Sequence, residues 1–117
     1  MFCSKLKSKL SVSFKFWIIL SLISAFEEED FLINKVPMLD IGLEDQIDDY
    51  ISKNQIDILA LSIVQYSTGL LIDINFLESL KLKYPNLILI GDGTQFLGAH
   101  KFSFDSSPFD VVAASGY

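Results

Sequence analysis

No arginine occurs among the 117 residues, so all nine basic side chains are lysines. An arginine fork is the usual grip on a substrate carboxylate. Its absence points to no such substrate, or to an arginine outside these residues; a bias toward lysine is the plainer explanation. Cysteine is nearly absent too. Cys3 has no second thiol to pair with, which excludes an internal disulfide. With His100 the only histidine, no zinc site of ordinary ligand type can be assembled. Basic charge is scarce beyond the start. Lys5, Lys7, Lys9 and Lys15 put +4 in the first fifteen residues, while the other 102 carry five Lys against fifteen Asp and Glu, a balance of −10 that leaves −6 overall. No basic stripe is left to neutralise phosphates, which argues against nucleic acid as a partner.

Long apolar runs are also missing. The stretch Phe16 to Phe26 is too short to span a membrane, and Ser21 and Ser24 interrupt it. The expected setting is therefore cytoplasmic, with no membrane partner. The basic start and apolar stretch do imitate a secretory signal peptide. Phe26 and three Glu follow Ala25, however, which makes a poor cleavage pattern. The alternative is a buried strand or helix segment near a basic tail. Residues 1–26 are kept as a separate N-terminal segment, and residues 27–117 as one partial domain; the length allows one small domain and no more.

Half of the residues are apolar, and their spacing changes along the chain. Residues 27–42 look irregular, punctuated by Pro37 and Gly42. Leu43, Ile47, Tyr50 and Ile51 then recur at helical spacing, with Glu44, Asp45, Asp48 and Asp49 on the outer arc. Ile56 to Ile63, IDILALSI, is nearly all apolar, as in a strand buried on both faces of a parallel sheet. Asp73 is placed to cap a helix running to about Tyr84, with Ile74, Phe76, Leu77 and Leu80 turned to the sheet and Pro85 stopping it. Leu87 to Ile90 is a second apolar run and Val111 to Ala114 a third. The pattern predicts α/β architecture: mainly parallel strands joined by crossover helices, about three strands in all.

IGDGTQFLG at 90–98 sets a carboxylate directly after a buried strand. In an open parallel sheet, ligands bind beyond the carboxyl ends of the strands. A partly desolvated carboxylate there is costly unless a cation meets it. Lys101 and the helix lysines are expected to face solvent, so the cation is expected in a ligand. The protonated pyridine nitrogen of pyridoxal 5'-phosphate fits that need, because a carboxylate beside it favours the protonated, electron-withdrawing ring. Taken alone, Asp-Gly after a strand is more often a turn. His100–Lys101 reads as a solvated loop, and Cys3 has nothing but lysines near it in sequence to activate it.

Three stretches together are more specific. ALSIVQYSTG at 60–69, IGDGTQFLG at 90–98 and FDVVAASGY at 109–117 resemble successive motifs of class V aminotransferases. These are fold-type I pyridoxal-phosphate enzymes, a group that also holds cysteine desulfurases and kynureninases. The resemblance covers about residues 56–117, and EEEDFLIN at 27–34 weakly resembles an upstream segment, with Leu32 where that segment has proline. It implies part of the three-layer α/β/α large domain, pyridoxal 5'-phosphate as cofactor, an amino-acid substrate and a homodimer in the full-length enzyme. Residue by residue, it implies that Asp92 pairs with the ring nitrogen and that Gln95 lies on the phenolic-oxygen side. Ser115 and Tyr117 match phosphate contacts. Tyr66 and Thr68 lie in the loop approaching the ring.

The departure is at the end. In the family a lysine directly follows the Ser-Gly-His/Tyr triplet, and here Tyr117 is the last residue. The resemblance thus implies a fragment, inactive as given, with no catalytic residue of its own. A second expectation is a flavodoxin-like module binding a nucleotide or corrinoid without catalysis. Against it, Ser-Ile-Val-Gln-Tyr after the first apolar run offers neither glycines nor histidine. A small exported protein is the third, resting only on residues 1–26.

Overall fold

A computed structural model of the protein describes residues 9–13, 32–36, 42–65 and 68–115, the first two segments as strands only. The signal-like stretch 16–26, the acidic run 27–30, Cys3, Tyr66 and Tyr117 lie outside the described residues. Five strands form one sheet: β1 Lys9–Ser13, β2 Leu32–Val36, β3 Ile56–Ser62, β4 Ile88–Asp92 and β5 Val111–Ala113. Their order across the sheet is β2-β1-β3-β4-β5, and every pairing is parallel.

Two of these strands depart from the sequence expectation of about three. β2 falls inside the stretch read as irregular, and β1 inside the basic start. Neither is an unbroken apolar run. β1 reads KLSVS and β2 reads LINKV. Pairing on a sheet, not local apolarity, makes them strands. β1 is bonded on both sides, to β2 and to β3.

The two described helices follow the expected periodicity. α1, Leu43–Asn54, buries Leu43, Ile47 and Ile51 and keeps its acidic residues on the other side. α2, Ile74–Lys83, starts where Asp73 accepts a hydrogen bond from the Asn75 amide at 2.9 Å. That satisfies one orphan donor of the first turn. Pro85 lies just past its end. Leu77 and Leu80 are buried, and Ile74 and Phe76 are partly so.

Strand parity sorts the core into two faces. Leu59, Leu61 and Leu89 point to one side and join a single cluster with Leu43, Ile47, Ile51, Leu77 and Leu80. Both described helices therefore cover that face. The topology explains it: β2 to β3 and β3 to β4 step the same way across the sheet, and crossovers of one hand place their helices on one side. β1 to β2 steps the other way. The reversal puts a switch point between β1 and β3, where doubly wound sheets open a crevice at the strand ends. The opposite face carries Ile58, Ala60, Ser62, Ile90 and Asp92, all buried.

Candidate functional site

β3, β4 and β5 end side by side. Ser62 is in register with Asp92, and Asp92 with Ala113. Asp92 is the last residue of its strand and only 2% exposed. Its Oδ1 accepts a hydrogen bond from the Thr94 amide at 2.9 Å, an Asx-type turn that fixes the carboxylate plane. Its Oδ2 is buried and has no hydrogen-bond partner. A buried acceptor left so costs about 1–3 kcal/mol, more if charged. Among the described residues, no ion pair involves Asp92; three lysines pair elsewhere, Lys53 with Asp49, Lys81 with Asp110 and Lys83 with Asp48. The carboxylate is thus held by the chain through one oxygen and left unsatisfied at the other.

The flanking glycines serve space rather than torsion. From the sequence, Gly91 and Gly93 are expected to keep the backbone free of Cβ bulk and to allow unusual torsions; among the described glycines, positive φ occurs at Gly42, Gly69 and Gly98 instead. A Cβ at Gly91 would lie 2.9 Å from the Phe109 ring and 3.0 Å from Ile63. At Gly93 it would come within 3.0 Å of Leu97 and 3.1 Å of Val112. The two glycines let the β4 exit lie flat against its neighbours.

Thr94 is a residue that motif reading misses. Its amide binds Asp92, and its Oγ1 accepts from the Ser115 amide at 3.0 Å. The Gly93 amide binds Ala113 O at 2.8 Å. Asp92 and Ser115 are therefore joined through one intervening residue. Ser115 and Gln95 are both exposed at this end of the sheet.

The loop after β3 is built by a second missed residue, Gln65. It is buried at 7% exposure, and its Oε1 accepts from both the amide and the hydroxyl of Thr68, at 2.9 and 3.1 Å. Gly69 closes the turn at φ 70°, where its amide binds Gln65 O at 2.7 Å. A bridge between Val64 and Leu71 returns the chain toward α2. Thr68 is exposed on this loop. Its hydroxyl is engaged with Gln65 and with the Leu70 amide at 3.3 Å. Ser62 shows one signal in the sequence: it is the only hydroxyl in an otherwise apolar strand core. His100, as expected, is exposed, stacked on Phe96 with ring centroids 5.0 Å apart.

The opposite, amino-terminal edge of the sheet holds a different polar cluster. Lys81 reaches Leu87 O at 2.7 Å and the Asp110 carboxylate at 2.9 Å, while Asp110 accepts the Leu89 amide at 2.7 Å. This pins α2 to the starts of β4 and β5. A shallow groove beside it is lined by Glu78, Lys81, Leu82, Pro108 and Asp110, far along the strands from Asp92. Among the described residues, no group of three or more His, Cys, Asp or Glu is placed to hold a metal ion. No helix among them is long and apolar enough to cross a membrane.

No protein-family model matches the sequence, and no curated protein matches it. Among solved structures, the chain is similar to the ureidoglycine-glyoxylate aminotransferase of Bacillus subtilis, with a TM-score of 0.69 and 15% identity. The match covers 92% of this chain and 28% of that one, so the chain spans a little over a quarter of that enzyme's length. At this identity the likeness concerns the fold: a parallel α/β sheet like part of an aminotransferase domain.

Proposed function

We propose that the chain is part of the cofactor-binding domain of a class V aminotransferase-type enzyme. It would hold pyridoxal 5'-phosphate at the strand ends and serve an amino-acid substrate in a cytoplasmic homodimer. The observation that carries this reading is the unsatisfied Oδ2 of Asp92, buried at the carboxyl end of β4. A protonated ring nitrogen supplies the donor and the positive charge that this oxygen lacks. The residues present therefore fit the cofactor's ring at this point.

Each residue then has a defined task. Asp92 holds a proton at the ring nitrogen, and Thr94 keeps Oδ1 occupied so that Oδ2 faces the ligand. Ser115 and Tyr117 bind the phosphate, Gln95 contacts the ring's oxygen side, and Thr68 and Tyr66 approach the ring from the β3 loop. Bound in this way, the cofactor supplies an electron sink for chemistry at the substrate's α-carbon. In this reading the chain supplies cofactor-binding residues. Aminotransfer, sulfur extraction and C–C cleavage all remain within the class.

The test is a fluorescence titration of the protein with pyridoxamine 5'-phosphate. Binding that Asp92→Asn weakens at least tenfold supports the reading; equal affinity of both proteins sinks it. A second reading, a flavodoxin-like module for a nucleotide or corrinoid, draws on the strand order β2-β1-β3-β4-β5. Doubly wound flavodoxin-like sheets share that order. Binding of flavin mononucleotide or a corrinoid in preference to pyridoxamine phosphate would favour it.

A further inference from the structure

Asp92 has a companion on its face of the sheet. β3 and β4 run parallel with Ser62 opposite Asp92. Their side chains project to the same side from backbones roughly 4.8 Å apart. Both residues are 2% exposed. Ser62 Oγ and Asp92 Oδ2 are the two buried side-chain atoms that lack a hydrogen-bond partner, among the described residues. That the two fall on adjacent register positions makes them one feature. The preceding residues on this face, Ala60 and Ile90, are apolar and buried, and offer no further acceptor from their side chains.

We propose that Ser62 is the second binding residue of the Asp92 site, its hydroxyl and Asp92 Oδ2 together receiving one N–H of a flat, protonated heterocycle. This rests on the reading of Asp92 given above. The chemistry of the pair selects its ligand. An ionised carboxylate only accepts, whereas a hydroxyl both donates and accepts. In this structure the Ser62 hydroxyl and Oδ2 are not bonded to each other, so each keeps a lone pair for an incoming donor, and one N–H can meet two acceptors. An ammonium brings three donors and a guanidinium five. In this apolar layer their surplus donors would be buried without partners. A ring N–H brings one donor, and the rest of the ring is compatible with Ala60 and Ile90. The apolar layer around the pair thus favours a single-donor ring nitrogen over an alkyl ammonium, and Ser62 adds a second acceptor that strengthens the preference for ring N–H over ring C–H.

The experiment titrates the whole chain with pyridoxamine 5'-phosphate and with its carbocyclic analogue, in which C–H replaces the ring nitrogen while phosphate and amine are kept. The wild-type chain should prefer the nitrogen ring. Ser62→Ala should cut that preference about tenfold, with affinity for the carbocyclic analogue unchanged. Loss of both ligands in equal measure would mean a structural role for Ser62 and overturn the proposal. If Ser62→Ala keeps the full preference while Asp92→Asn abolishes it, Ser62 is overturned and the Asp92 reading stands. A wild-type chain with no preference for the nitrogen ring overturns both.

Discussion

At the scale of single residues, the site depends on what each short side chain leaves unfinished. Thr94 is the joint between Asp92 and Ser115. Thr94→Val removes the acceptor of the Ser115 amide but keeps the shape. The expected outcome is faster hydrogen exchange at Ser115 and a stability loss of about 1 kcal/mol, read by amide exchange and denaturant unfolding. Unchanged exchange at Ser115 would refute the joint. Gly91 is fixed by room. Gly91→Ala places a methyl within 3.0 Å of Phe109 and Ile63. Overpacking of that kind costs about 1–3 kcal/mol, so its urea midpoint should fall well below wild type. Asp92 is legible in the sequence because a carboxylate after an apolar run is chemically out of place. Ser62 is only partly so: its hydroxyl stands out in an apolar strand, but its meaning comes from pairing with β4, and pairing is invisible in a run of residues. Gln65 and Thr94 use side-chain oxygens to hold the backbone amides of Thr68 and Ser115, and any residue offers such an amide, so no pattern of side-chain types announces the pairings.

At the scale of elements, local signals decide the helices and tertiary pairing decides two of the strands. α1 and α2 are written in apolar spacing, the Asp73 cap and Pro85, and both form where that spacing places them. β3 and β4 are legible as apolar runs, though β4 lies slightly later than its run and takes in Asp92. β1 and β2 carry lysines and polar residues and gain their conformation from neighbouring strands. The helices are clamped to each other by Asp48, which accepts from Lys83 at 2.7 Å and from the Tyr84 hydroxyl at 2.9 Å. The Lys83 bond first, then that of Tyr84, holds the Asp48 carboxyl below its ordinary value. The same bond holds Lys83 above its own. The Asp48 contribution is complete above its unfolded value near 3.8 and is lost as pH falls through the lower folded value. The Lys83 contribution is complete below 10.5 and is lost as pH rises through the raised folded value. Both side chains meet water, so the effect is small and weakened by salt. Asp48→Asn should flatten the pH dependence of the unfolding midpoint at both extremes; a profile identical to wild type would show that the clamp contributes nothing.

At the scale of the molecule, the sheet is a parallel α/β layer with its edges at β2 and β5. β5 is three residues long, and Val111 on it is 47% exposed. Leu82, at 85%, and Phe104, at 47%, are large apolar side chains also open to water. Unpaired strand edges and exposed apolar groups both favour association. The protein should therefore self-associate with rising concentration in sedimentation velocity, and Val111→Lys should reduce it; a stable monomer across the range would contradict this.

The central claim is electrostatic: Asp92 meets a protonated ring nitrogen where β4 ends. The direct measurement is nitrogen-15 NMR of pyridoxamine 5'-phosphate, labelled at the ring nitrogen and bound to the protein above the ligand's own ring-nitrogen titration range. The account predicts a ring nitrogen that stays protonated in the wild-type complex and loses its proton in Asp92→Asn. A bound ring that is unprotonated with Asp92 in place would contradict it.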